Sequence, residues 1–306
     1  MEIKLEELKT LFQKEKYIIN DNILYAVFTA LKLGKPLLVE GPPGVGKTEL
    51  AKVLAKIFDS KLIRLQCFEG IDSSKLIYDI DYPKQLLYQN ILKNKIDDLL
   101  QDKSFEESIN IIENETNFYG ENFIIERPIL ESINPKNNYK KVLLLDEIDK
   151  TDYEFEAMLL ETLSDYSVSI PEFGTIKCDE NNKPIIILTS NNKRELSDAM
   201  KRRCIYLYID YPSIELEKEI ISSKCNVNTN VAESFAIFIN KIRNNLDLKK
   251  NPSIAESIEW VQTIIQVFEV NSLENIEDNL LKNSLNILLK NQYDIKKVVE
   301  NLKEIL

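Results

Sequence analysis

Gly41-Pro42-Pro43-Gly44-Val45-Gly46-Lys47-Thr48 fits the pattern G-x-x-x-x-G-K-[ST], and its surroundings give the pattern meaning. The chain has only seven glycines, and three of them fall within these few positions. A sequence that avoids glycine elsewhere and gathers it here needs unusual backbone geometry at this point. Leu37-Leu38-Val39 before the loop reads as a short buried strand, and Leu50, Val53, Leu54 and Ile57 after it recur at helical spacing. In a strand–loop–helix setting, successive backbone N–H groups can cradle phosphate oxygens and the helix adds its positive N-terminus. Lys47 then reaches the β- and γ-phosphates, and the Thr48 hydroxyl coordinates Mg²⁺. Gly41 through Thr48, with the adjoining Glu49, are therefore the candidate nucleotide-binding residues.

Further strands are expected at Leu62–Leu65, Val142–Leu145, Ile185–Leu188 and Ile205–Ile209, with helical patterns such as Phe155, Met158, Leu159 and Leu163 between most of them. This alternation predicts an α/β fold, a parallel sheet covered by helices on both faces. Val168-Ser169-Ile170 and Thr175-Ile176-Lys177 read as a β-hairpin, about 167–178, inserted before the fourth strand. Beyond Ile214 the strand signal disappears. Val231–Ile242, Ile254–Phe268 and Leu280–Leu289 are amphipathic, with Pro212 and Pro252 as punctuation. The expected organisation is a nucleotide-binding core over 1–211, opened by an N-terminal helix at 1–14, and a smaller helical domain over 212–306. Residues 95–122 hold eight acids and two bases, and read as a solvated insertion.

Composition excludes several chemistries. The 306 residues include no histidine, which removes His-based nucleophile pairs, His-ligated zinc and a histidine general base. Four cysteines, none in a C-x-x-C pair, read as reduced core filler. No apolar run approaches the length of a membrane span, and no export signal is evident, so a soluble cytoplasmic protein is expected. A net charge of −11 disfavours anionic membranes and nucleic acid as partners.

Three more segments carry candidate chemistry. Asp146-Glu147 ends the run Val142–Leu145, at the carboxyl end of a strand where a parallel sheet places ligand contacts. Asp146 is the candidate metal-holding acid, and Glu147 the candidate for polarising the attacking water. Asn191 closes the fourth strand, either as a γ-phosphate or water ligand or as a plain turn residue. Arg202 and Arg203 are either surface charge or a phosphoryl-stabilising arginine offered to a neighbouring subunit.

Taken with Leu65-Gln66-Cys67-Phe68-Glu69-Gly70-Ile71-Asp72, Glu126-Arg127-Pro128, Leu145–Lys150, Ile170–Ile176 and Lys201-Arg202-Arg203-Cys204, these motifs resemble the MoxR branch of the AAA+ ATPases. Within it, they are similar to CoxD-like proteins associated with von Willebrand A-domain proteins. The resemblance runs from about Asn20 to Trp260. It implies an AAA+ core with a helical lid, ATP and Mg²⁺ as ligands, ATP hydrolysis, and assembly into a homo-oligomeric ring, a hexamer in the family. It also implies a remodelling chaperone that helps a client metalloenzyme mature with a von Willebrand A-domain partner. In its terms Lys47 and Thr48 are Walker A, Asp146 and Glu147 Walker B, Asn191 sensor 1, and Arg203 or Arg202 the finger. Gln66 is a candidate for restraining Glu147. Where many relatives carry a lid arginine this chain has Ile254, with Lys250 as a candidate substitute or simply a solvated lysine. That departure keeps a non-hydrolysing or slowly hydrolysing nucleotide-dependent switch or scaffold open as an alternative; a nucleic-acid motor is disfavoured by charge.

Overall fold

A computed structural model describes residues 3–71, 76–90, 121–170, 174–270 and 272–305. The expected acidic insertion lies outside the described residues apart from its last two positions, as does the hairpin tip Pro171-Glu172-Phe173.

Five strands form the central sheet: β1 (Leu37–Glu40), β2 (Lys61–Gln66), β5 (Lys141–Asp146), β8 (Ile185–Ser190) and β9 (Ile205–Tyr208). Their order is β2-β5-β8-β1-β9 and every pairing is parallel. The five expected strands are all present. All six residues of β5 are buried, because side chains on both faces meet helices. Leu143 and Leu145 point to a cluster with Phe155, Leu159 and Ile129. Val142 and Leu144 point oppositely, to Leu8, Phe12, Val27, Leu50 and Leu54. The N-terminal helix, Leu5–Lys14, thus belongs to the core through Leu8 and Phe12. The hairpin pairs β6 (Ser167–Ile170) with β7 (Gly174–Lys177).

Two features depart from expectation. A separate two-stranded antiparallel sheet joins β3 (Tyr78–Ile80) to β4 (Ile124–Glu126), inside the chain that connects β2 to β5. The helix expected over Ile254–Phe268 is α-helical only through Gln262 and continues as a π-helical turn, Thr263–Val267.

Past residue 213 the elements are helical: Ile214–Cys225, Thr229–Asn245, Ile254–Gln262, Asp278–Leu288 and Gln292–Glu300 lead to a last short helix. They enclose their own apolar cluster. At its centre Trp260 stacks on Phe238 at 5.5 Å and meets Phe235 edge-on at 5.4 Å, while its Nε1 donates to Ser284 Oγ at 3.0 Å. No helix among the described residues is long and apolar enough to cross a membrane.

Candidate nucleotide site

The sheet order makes β5, β8 and β1 neighbours, so their carboxyl ends converge. Each delivers a candidate segment there: Asp146-Glu147, the residues after Ser190, and the glycine loop. The loop is compressed from two sides. A Cβ on Gly41 would lie 2.0 Å from the Ile209 carbonyl oxygen. On Gly44, at φ +78, it would lie 2.3 Å from Ser253 Cβ. Glycine is required at both positions, and Ser253, the N-cap of helix Ile254–Gln262, rests directly on the loop.

Lys47, only 6% exposed, opens the helix Lys47–Ile57. Its Nζ donates to the carbonyls of Gly41 and Pro42, both at 2.7 Å, and to Asn191 Oδ1 at 2.8 Å. Burial pushes its pKa down to about 8, against the opposing pull of Asp149, Asp146 and Glu147. Thr48 Oγ1 donates to Asp146 Oδ1 at 3.0 Å, and Thr189 Oγ1 donates to the same oxygen at 2.6 Å. Thr189 also accepts the Glu147 N–H at 2.9 Å. That contact accompanies a left-handed backbone conformation at Glu147 (φ 60), which costs a non-glycine residue about 1–2 kcal/mol.

Glu147 faces three partners. Asn191 Nδ2 donates to Oε1 at 3.1 Å, Gln66 Nε2 donates to Oε2 at 3.0 Å, and Lys150 Nζ lies 2.5 Å from Oε2. Asn191 therefore touches both the loop lysine and the candidate hydrolytic acid. The candidate metal donors are a hydroxyl and a carboxylate, hard oxygen ligands suited to Mg²⁺, which takes few protein ligands and shares the rest with phosphates and water.

These groups line a cavity of about 310 Å³, formed by Pro43, Gly44 and Gly46–Glu49 of the loop with Arg64, Gln66, Asp146, Glu147, Thr189 and Asn191. A larger cavity of about 700 Å³ adjoins it, and the two share Gly44, Gly46, Glu49 and Ala255. Its walls come from Tyr17 and Ile18, from Tyr208–Pro212 with Leu216 and Ile220, and from Ile254, Ala255 and Ile258, so it is mostly apolar, as a base-binding pocket needs to be. Pro42 and Val45 sit within the loop, with Val45 buried. Arg202 is exposed. Arg203 donates to Ser164 Oγ and the Ala199 carbonyl. Neither arginine lines the phosphate cavity of its own chain. Lys250 lines neither cavity and pairs with Glu256 at 3.2 Å, as a solvated lysine does.

A model of the AAA domain (dynein-related subfamily) matches residues 36–204, from just before β1 to just before β9. The chain belongs to that family. Its fold is the AAA+ P-loop fold, and the family is in general ATP-binding and ATP-hydrolysing. The chain is also similar to the uncharacterized protein YojN of Bacillus subtilis (strain 168), 33% identical over 72 residues, which are 23% of this chain. That match spans 24% of the curated relative's length. Among solved structures, a mutant of Thermotoga maritima RuvB is 17% identical with a TM-score of 0.49, over 99% of this chain and 78% of that one. The Thermotoga maritima RuvB Holliday junction branch migration motor is 16% identical with a TM-score of 0.45, over 97% and 76%.

Arg64, Lys150 and the wall of the larger cavity are site features that the sequence reading did not single out. Arg64 carried little signal, because it stands at an exposed position of an edge strand. The larger cavity carried none, because its three walls lie far apart in the chain.

Proposed function

We infer that this AAA-domain protein is an ATP-hydrolysing remodelling chaperone of MoxR type. The observation that carries the catalytic half is Asn191, whose amide bridges Lys47 and Glu147 beside the Thr48–Asp146 pair. In this reading the glycine loop and Lys47 bind the ATP phosphates, and the apolar cavity takes the base. Thr48 and Asp146 would hold Mg²⁺, which when bound offsets phosphate charge. Glu147 orients and polarises the attacking water, and Asn191 reads the γ-phosphate. Gln66 and Lys150 hold Glu147 in place until nucleotide arrives.

The rest of the reading draws on the motif resemblance. Residues 1–211 act as core and 212–306 as lid. Identical subunits form a ring, a hexamer by resemblance, in the cytoplasm. Arg203 or Arg202 completes the neighbouring subunit's site. A von Willebrand A-domain protein presents a client metalloenzyme. With Ile254 in the wall of the base cavity and no lid arginine there to touch phosphate, turnover is expected to be slow.

Calorimetry should show nucleotide binding largely lost in Lys47→Ala. Steady-state phosphate release should be present in the wild type and abolished in Glu147→Gln, which retains ATP. Affinity purification with Glu147→Gln should enrich a von Willebrand A-domain protein. Release equal in the two proteins would remove the hydrolytic assignment, and unchanged affinity in Lys47→Ala would remove the nucleotide site itself.

A further inference from the structure

Asp146 is already crowded. Its Oδ1 receives the hydroxyls of Thr48 and Thr189. Its Oδ2 receives two N–H groups from one guanidinium, Arg64 Nη2 at 2.6 Å and Nε at 3.1 Å. The strand register places this cation. β2 runs beside β5 with Gln66 opposite Asp146, so Arg64, two residues earlier, emerges on the same face. Arg64 Nη2 also donates to Gln66 Oε1 at 2.6 Å. The Arg64 side chain is 48% exposed and that of Asp146 only 4%, so the cation reaches the acid from the open side of the phosphate cavity.

A guanidinium stays protonated at any ordinary pH. A divalent ion drawn to Asp146, or to a water on it, meets both the repulsion of that charge and competition for the same oxygen. Nucleotide phosphates meet the opposite: a cation on the wall of their own cavity. We propose that Arg64 is a built-in competitor of the divalent ion at Asp146, setting how much Mg²⁺ is needed to load the site. It raises the ion concentration required, and it supplies positive charge to the phosphates when the ion is scarce. The proposal rests on the ATP–Mg²⁺ reading above.

The test uses the full chain and a fluorescent ATP analogue followed by anisotropy, in EDTA and across a Mg²⁺ titration. Arg64→Met should lower the Mg²⁺ midpoint about three- to ten-fold, the range for a charged pair that is part buried. It should also weaken binding of the analogue in EDTA by a similar factor. General loosening of the site would weaken both, so shifts of opposite sign are the signature, and both are required. Arg64→Lys keeps the charge but loses the forked contact, and should fall between the two proteins. If Arg64→Met fails to fold, the lysine variant decides: its midpoint must still fall. A midpoint that is unchanged or raised would overturn the proposal while leaving nucleotide binding intact. A wild type that does not bind the analogue would instead overturn the underlying reading.

Discussion

Replacing Arg243 by methionine should cost the helical region most of its stability. Arg243 and Glu217 are sealed from solvent, their side chains 3% and 0% exposed. Both Glu217 oxygens are served by this one guanidinium, at 2.6 and 2.8 Å. Arg243 also donates to Ser257 Oγ at 3.0 Å and to the Pro252 carbonyl at 2.8 Å, and it lies over the Tyr211 ring. Arg243→Met therefore strands a buried carboxylate, which costs about 3–5 kcal/mol. Pairing it with Glu217→Leu exchanges the ions for an apolar contact of similar shape and should restore more than half of that loss. The remainder reflects chiefly the Pro252 carbonyl, left without its donor at about 1–3 kcal/mol for a buried polar group, since Ser257 Oγ still donates to the Ser253 carbonyl. Trp260 is the chain's only tryptophan and is fully buried in this cluster, so urea unfolding followed by its fluorescence reports this region directly. Nucleotide affinity should fall too, although neither residue lines either cavity of the site, because Pro252 precedes the serine that rests on Gly44. A single-variant loss below about 1 kcal/mol, or a double variant no more stable than the single one, would refute the reasoning.

Two further outcomes follow from the site. Burial holds Lys47 near 8 rather than 10.5, and phosphates favour its charged form. Nucleotide binding above pH 8 should then take up a proton, and affinity should fall with rising pH by up to about ten-fold per unit. The same depressed pKa means that unliganded stability gains from this group between about pH 8 and 10.5, where only the unfolded chain stays protonated. Calorimetry at about pH 8.5 in buffers of different ionisation enthalpy measures the uptake, and a zero value contradicts it. Mixtures of Arg203→Ala and Glu147→Gln subunits should regain activity that neither has alone. Loss of a phosphoryl-transfer arginine costs about 10³–10⁵ in rate where it has been examined. Silence in mixtures shown to co-assemble counts against a role for Arg203 across the interface.

The inner strands β1, β5 and β8 were legible because each is a run of three or more β-branched or leucine residues that is almost wholly buried, and the outer strands β2 and β9 because buried and exposed positions alternate along them. Asp146, Thr48 and Lys47 were legible because the phosphate loop and the acid-tipped strand name them by local pattern. What stayed hidden depends on contacts between distant segments. Strands β3 and β4 have three residues each, too few to show alternation. The larger cavity is assembled from segments that include Tyr17, Tyr211 and Ile254, and no local pattern links them. Arg64 occupies an exposed position on an edge strand, where a charged residue ordinarily signals nothing more than solvent. The π-helical turn after Gln262 leaves the apolar periodicity almost unchanged, so its pattern reads as uninterrupted α-helix.

An amide has a head and a tail, and at Asn191 both ends are spoken for. The carbonyl end faces an ammonium at 2.8 Å and the amino end faces a carboxylate at 3.1 Å. Turning the group over would set oxygen against Glu147 and N–H against Lys47, so its orientation is dictated by two opposite charges. Asn191→Asp, nearly unchanged in shape, would keep the first contact and repel Glu147 at the second. Asn191→Gln would carry the right polarity on an arm one carbon too long. The position is thus a polarised spacer between the candidate phosphate-binding lysine and the candidate hydrolytic acid. A phosphate that draws Lys47 away frees one end of the amide, and that change is delivered to Glu147 through a single side chain.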